Sequence, residues 1–132
     1  MPMNRVRLSP YADFLGIRHV GVVDGGPLLA MAYSDGLGGW PGLLHGGAVA
    51  GLLELAAIAA IQAALDEPVP PTVKPVTVTI DFMRGARPVE TCALGRVSRL
   101  GSRVANVTVE AWQDDPARPI AGARMNVVLA RP

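Results

Sequence analysis

Residues 48–65 read Ala-Val-Ala-Gly-Leu-Leu-Glu-Leu-Ala-Ala-Ile-Ala-Ala-Ile-Gln-Ala-Ala-Leu, and any fold of this chain must find a place for that segment. It is rich in strong helix formers and meets no proline until Pro68, which predicts a helix of about four to five turns. It is apolar nearly all round, so it must be buried on most sides. Its length approaches that of a membrane span. Glu54 in its middle, alanine in place of leucine or isoleucine, and Gln62 near its end argue for a core helix instead. A charge in a bilayer is expensive, while an alanine-rich helix inside a protein is ordinary.

The rest of the chain reads as the cover for this helix. Ser9 and Pro10 open a short helix over 10–15, with Ser9 as its cap and Gly16 as its stop. Residues 19–24 and 28–34 read as a hairpin around Gly25-Gly26-Pro27, and 35–44 as a glycine-rich loop. After the long helix, 76–82, 90–99, 103–113 and 120–130 alternate as strands, with turns at Leu100-Gly101-Ser102 and over 114–119. The order is helix, hairpin, long buried helix, then a three- or four-strand antiparallel meander. A strongly curved antiparallel sheet wrapped around one central helix, an α+β fold, satisfies it. The 132 residues suit one domain. A leftover sheet edge needs covering, and a second copy of the chain is the expected cover. Charged residues are only 17% of the chain, below the usual quarter, which fits a surface partly covered by another subunit.

Composition also removes several function classes. A net charge of +1 without a basic run gives no reason to expect nucleic acid. Cys92 is the single cysteine, so no intrachain disulfide can form, in keeping with a reducing cytoplasm. Asp13, Arg18 and His19 break up any secretory apolar run near the start. There is no second histidine or cysteine at ligand spacing near His45, so no metal is expected. Neither a Gly-x-Ser-x-Gly elbow nor a nucleotide-binding glycine loop occurs.

What remains is Glu54 and the helix start. Glu54 is the only charged side chain between His45 and Asp66. A carboxylate inside an apolar helix is costly, so it either works as a base or nucleophile in a dry cleft, or reaches a subunit edge or an arginine. His45-Gly46-Gly47 sits at the helix N-terminus, where unpaired N–H groups point outward. Glycine lets a carbonyl approach that backbone, giving an oxyanion hole, or it simply permits a tight turn into the helix. Arg84, Arg87, Arg99 and Arg103 near strand ends are candidate phosphate contacts, or solvated surface charges.

His45-Gly46-Gly47, six residues, then Glu54 and Leu-Ala-Ala resembles the His-Gly-Gly-x6-Asp/Glu signature of the hotdog-fold acyl-CoA thioesterases, most closely the phenylacetate-pathway type. The run from Thr77 to Arg84 is similar to the family's strand after the helix, and Gly95-Arg96-Val97 with Gly101-Ser102-Arg103 to its next hairpin. The resemblance covers roughly 15–130 and implies a hotdog domain over 1–132. It implies hydrolysis of an acyl-CoA to a carboxylic acid and coenzyme A, with no metal or redox cofactor because coenzyme A arrives with the substrate. Glu54 would be the general base or, through an anhydride, the nucleophile. The Gly46 N–H would polarise the thioester carbonyl, Gly47 would allow close approach and His45 would order the loop. Trp40, Leu43 and Leu44 would line the acyl pocket, with Arg84, Arg99 and Arg103 on the substrate. The protein would be a homodimer or a dimer of dimers, with the site at the dimer interface, neither nucleic acid nor membrane as partner, and a cytoplasmic location. Two positions depart from the family: Gly39 stands where Asn or Gln is common, and Pro75 where Ser or Thr is common. The alternatives are an acyl-CoA-binding module without catalysis, an enoyl-CoA hydratase or dehydratase using His45 with Glu54, and a purely structural oligomer.

Overall fold

In a computed structural model of the chain, residues 6–132 are described. Helix α1 (Pro10–Leu15) begins after Ser9, whose backbone is extended but whose side chain makes no capping hydrogen bond, contrary to expectation. Pro10 presets the first turn instead, since its missing N–H is not needed there. Gly16 ends α1 in the left-handed region, φ 73°, and its N–H reaches back to the carbonyls of Ala12 and Asp13.

Strands β1 (Ile17–Val23) and β2 (Gly26–Met31) form the expected hairpin. The turn is tighter than Gly25-Gly26-Pro27 suggested. Asp24 and Gly25 carry it alone, both at positive φ (51° and 80°), and Gly26 already pairs with Val23. Two residues at positive φ match the twist of the flanking strands.

Helix α2 (Gly46–Ala64) is the long apolar segment. By length and composition it could cross a membrane, but 67% of its apolar window is buried inside the molecule. Strands β3 (Thr72–Phe82), β4 (Thr91–Leu100), β5 (Val104–Trp112) and β6 (Ala121–Ala130) follow. They join the hairpin in one six-stranded antiparallel sheet of order β1-β2-β4-β5-β6-β3. The meander is therefore β4-β5-β6. The strand expected to begin it, β3, crosses to the far edge and pairs with β6. It also starts earlier than expected, because Pro75 is tolerated on an edge strand beside the register shift between Pro75 and Thr77. Further shifts between Val97 and Arg99 and between His19 and Gly21 bend the sheet around α2.

The helix lies very close to the sheet. A Cβ added to Gly95 of β4 would stand 2.8 Å from the Ala56 carbonyl oxygen and 2.9 Å from the Ala60 Cβ. The alanines of α2 and the glycine beneath them are thus one packing solution. Leu29, Met31, Leu52, Leu53, Ile61, Val107, Met125 and Val127 fill the remaining interior. At the far end of the chain, Arg131 donates from Nε and Nη2 to both Glu67 carboxylate oxygens, at 2.9 and 2.7 Å, and also donates to the Ser102 carbonyl. That bond to Arg131 holds the Glu67 carboxyl below its usual range.

Replacing Gly95 by valine should force α2 off β4. We expect a loss of about 1–3 kcal/mol or more in denaturant unfolding, whereas Gly36→Ala, with open space at its Cβ position, should change little.

Candidate active site

The loop before α2 is built to deliver His45 to the helix start. A short 3-10 turn over Asp35–Leu37 is followed by a bridge between Gly38 and Leu44. The Gly39 N–H donates to the Leu43 carbonyl, and Leu43 to the Trp40 carbonyl, both at 2.9 Å. The His45 N–H donates to the Leu37 carbonyl at 2.8 Å and the Leu44 N–H to Ala86 at 2.9 Å. Gly39 lies against this junction: a Cβ there would be 3.1 Å from the His45 Cα. The space next to the backbone is thus closed by His45 itself.

His45 is the N-cap of α2, and its Nδ1 accepts the Gly47 N–H at 2.8 Å. The N–H groups of Ala48 and Val49 both donate to the His45 carbonyl. Gly46 is the exception: among the described residues its N–H has no partner. The roles inside the motif therefore divide. Gly47 is consumed by the cap and Gly46 keeps an outward donor at the positive end of a 19-residue helix. The Phe82 ring lies beside Gly46, 3.4 Å from where a Cβ would stand.

Two cavities meet at Gly46. One is a cleft of about 490 Å³ lined by Gly38, Gly39, Trp40, Leu43, Leu44, His45 and Gly46. The other is an apolar slot of about 120 Å³ that shares Leu43, Leu44 and Gly46 with it and adds Val49, Phe82, Arg84 and Ile120. Trp40 is 82% exposed, whereas Leu44 belongs mainly to the core.

Glu54 is not where a dry cleft would put it. It is exposed, and among the described residues it makes no hydrogen bond or ion pair. The reason is helical geometry. Gly47, Ala50, Glu54, Ile58 and Gln62 follow one another at three- or four-residue spacing, and none of them is buried. They form the line of α2 that neither the sheet nor α1 covers, and at its far end the Gln62 Oε1 accepts the Arg7 N–H at 2.9 Å. Glu54 lies eight residues beyond Gly46, roughly 12 Å along the axis. A carbonyl held at Gly46 is therefore out of direct contact with the same chain's carboxylate.

The arginines separate in the same way. Arg84 lines the slot beside Gly46. Arg99 and Arg103 lie at the opposite end of the sheet, where Arg99 pairs with Asn106 and the Arg103 carbonyl accepts from Leu129. Within one chain they do not join this site. Sequence reading did not single out Phe82, Gln113 or Arg118 for the site, since nothing in their spacing marks them. Burial and the nearby Glu90 push the Cys92 thiol up, which makes it a poor nucleophile at neutral pH. No group of three or more potential metal ligands occurs among the described residues.

Residues 41–120 match the family model of the thioesterase superfamily. No curated protein matches the chain. Solved structures share the fold. A thioesterase family protein from Silicibacter pomeroyi is 23% identical with a TM-score of 0.83, covering 94% of this chain and 91% of its own. A phenylacetic acid degradation-related protein described as a thioesterase, from Ralstonia eutropha JMP134, is 22% identical with a TM-score of 0.80, covering 92% and 91%. A thioesterase from Haemophilus influenzae is 18% identical with a TM-score of 0.82, covering 92% and 82%. With a family match across most of the chain and a curved six-stranded sheet around one helix, this protein belongs to the hotdog-fold thioesterase superfamily.

Proposed function

We propose that the protein hydrolyses an acyl-CoA thioester, and that it does so as a homodimer in which each site takes Gly46 from one chain and Glu54 from the other. The observation that carries this reading is the unpaired Gly46 N–H in the wall of a cleft, next to Gly47, where the uncovered helix line that carries Glu54 begins. Two copies of α2 laid antiparallel along that line bring each Gly46 toward the partner's Glu54. The edge strand β3 supports the same arrangement. It is exposed along nearly its whole length, carries exposed Val76, Val78 and Phe82, and among the described residues no strand pairs with its outer edge. Such an edge invites a second copy. Further pairing into a dimer of dimers is compatible with it.

The chemistry then follows. The thioester oxygen accepts the Gly46 N–H, and the acyl group occupies the cleft of Trp40, Leu43 and Leu44. Glu54 takes a proton from water as the water oxygen bonds to the carbonyl carbon. The tetrahedral oxyanion is held by Gly46 and the helix dipole. Collapse breaks the C–S bond, and the departing thiolate of coenzyme A takes up the proton from Glu54, leaving the carboxylic acid. Neither metal nor redox cofactor enters these steps. With its single cysteine half-buried, the protein suits the reducing cytoplasm.

Glu54→Ala should lower turnover across a panel of acyl-CoAs by about 10²–10⁴-fold, measured as free thiol release, with unfolding unchanged because the residue is exposed. An unchanged rate removes Glu54 from the mechanism. Binding of acyl-CoA by the native protein without cleavage would select the non-catalytic binding module.

Gly46→Pro deletes the donor and places its ring in van der Waals contact with Phe82. Gly46 is the first helical residue, where proline is tolerated, and His45 before it is extended (φ −66°, ψ 134°), as a residue preceding proline must be. Turnover should fall by about 10²–10³-fold. Mixed dimers of the Glu54→Ala and Gly46→Pro chains should regain activity, since one of their two sites is intact. Failure of mixing to restore any activity would place both groups in a single chain.

A further inference from the structure

The apolar slot beside Gly46 shares part of its wall with a neighbouring cleft. Its wall residues Arg84, Gly85 and Ile120 are also walls of a separate polar cleft of about 350 Å³, completed by Arg87, Gln113, Asp114, Asp115 and Arg118. The cleft at Trp40, the slot past Phe82 and this polar cleft therefore adjoin in series through shared walls, with Gly46 in the wall common to the first two.

The polar cleft holds three guanidiniums and two carboxylates, a balance of one positive charge. Asp114 is paired with Arg87. The Asp115 Oδ1 accepts the Ala117 N–H at 2.9 Å, which fixes the turn. Gln113 locks Arg87 in place, donating from Nε2 to its carbonyl at 2.8 Å and accepting its N–H at 3.2 Å. Arg84 donates only from Nε, to the Pro119 carbonyl at 3.3 Å, and its two terminal nitrogens have no partner among the described residues. The Arg118 side chain also has none and is exposed. Two unpaired guanidiniums thus face one cleft, with a third held by its own ion pair. Guanidinium forks match phosphate oxygens, and the one positive charge left over after both carboxylates are counted favours an anion.

We propose that this cleft binds the phosphate-bearing end of the thiol carrier, with Arg84 and Arg118 as its phosphate contacts, Arg87 adding positive charge, and the pantetheine arm lying in the slot past Phe82. The assignment rests on the thioester reading above. It replaces Arg99 and Arg103, at the other end of the sheet, with Arg118 from the β5–β6 turn. It also sets the direction of the substrate: acyl group toward Trp40, phosphates toward Arg118.

The test compares wild type with Arg118→Gln and Arg84→Gln on three thioesters of one acyl group: acyl-CoA, acyl-phosphopantetheine and acyl-pantetheine. Loss of a charge-assisted hydrogen bond should raise KM for acyl-CoA about ten- to hundredfold with kcat little changed. Acyl-pantetheine, which has no phosphate, should be unaffected in Arg118→Gln, whose side chain lies outside the slot. An equal effect on acyl-phosphopantetheine assigns the contact to the phosphate shared with carrier proteins, and an effect on acyl-CoA alone assigns it to the nucleotide end. Unchanged KM for both phosphate-bearing substrates, or an equal loss on acyl-pantetheine in Arg118→Gln, overturns the assignment while leaving the hydrolase reading intact. If wild type cleaves none of the three, calorimetric titration with free coenzyme A decides. Binding that weakens in Arg118→Gln supports the cleft without the hydrolase, and absence of binding overturns the cleft.

Discussion

The contact between α2 and the backbone of β4 is the constraint on which the rest of the molecule depends. Helix and strand approach so closely at Gly95, Ala56 and Ala60 that no side chain fits between them. Small residues on the helix allow this, and the price is that leucine and isoleucine must be placed where the curved sheet leaves more room. The bulges in β1, β3 and β4 bend the sheet to meet that demand. Because α2 is held at a fixed height over the sheet, its N-terminus is also fixed, between the 35–45 loop and the end of β3.

That position explains the division of labour at the helix start. His45 caps with its own imidazole and carbonyl, absorbing the N–H groups of Gly47, Ala48 and Val49. One donor, on Gly46, is left facing the junction of a cleft and a slot. A helix end normally satisfies its donors or gives them to water. Here the one remaining is bordered by Phe82, Leu43 and Leu44, so an acceptor arriving there is partly shielded from solvent and feels the helix dipole more strongly.

The same packing leaves an open line along α2. Among the described residues, the sheet, α1 and the chain at Arg7 leave the helix open along Gly47, Ala50, Glu54 and Ile58. This is why Glu54, which the sequence left as either a base in a dry cleft or a group reaching a subunit edge or an arginine, is exposed in the single chain. A lone charge in an apolar segment signals that the position is special, but its surroundings depend on which face the partner elements leave free. The open helix line and the open edge of β3 are both left by the same packing, since the sheet curls over the other sides of α2 and ends at β3.

The sequence alone determined that the core would be one helix, because the apolar, proline-free run over 48–65 had no other stable form. It also determined the strands of the meander, through period-two alternation, and the His-Gly-Gly and Glu54 motif, through local spacing. Tertiary structure alone decided that β3 crosses to pair with β6, since strand order depends on long-range pairing that alternation does not encode. It alone gathered Arg84, Arg87 and Arg118 into one cleft, from positions up to 34 residues apart in a chain where nothing local links them. Local spacing fixes what a residue is next to along its own element, whereas packing between elements fixes which solvent, cavity or neighbour it faces.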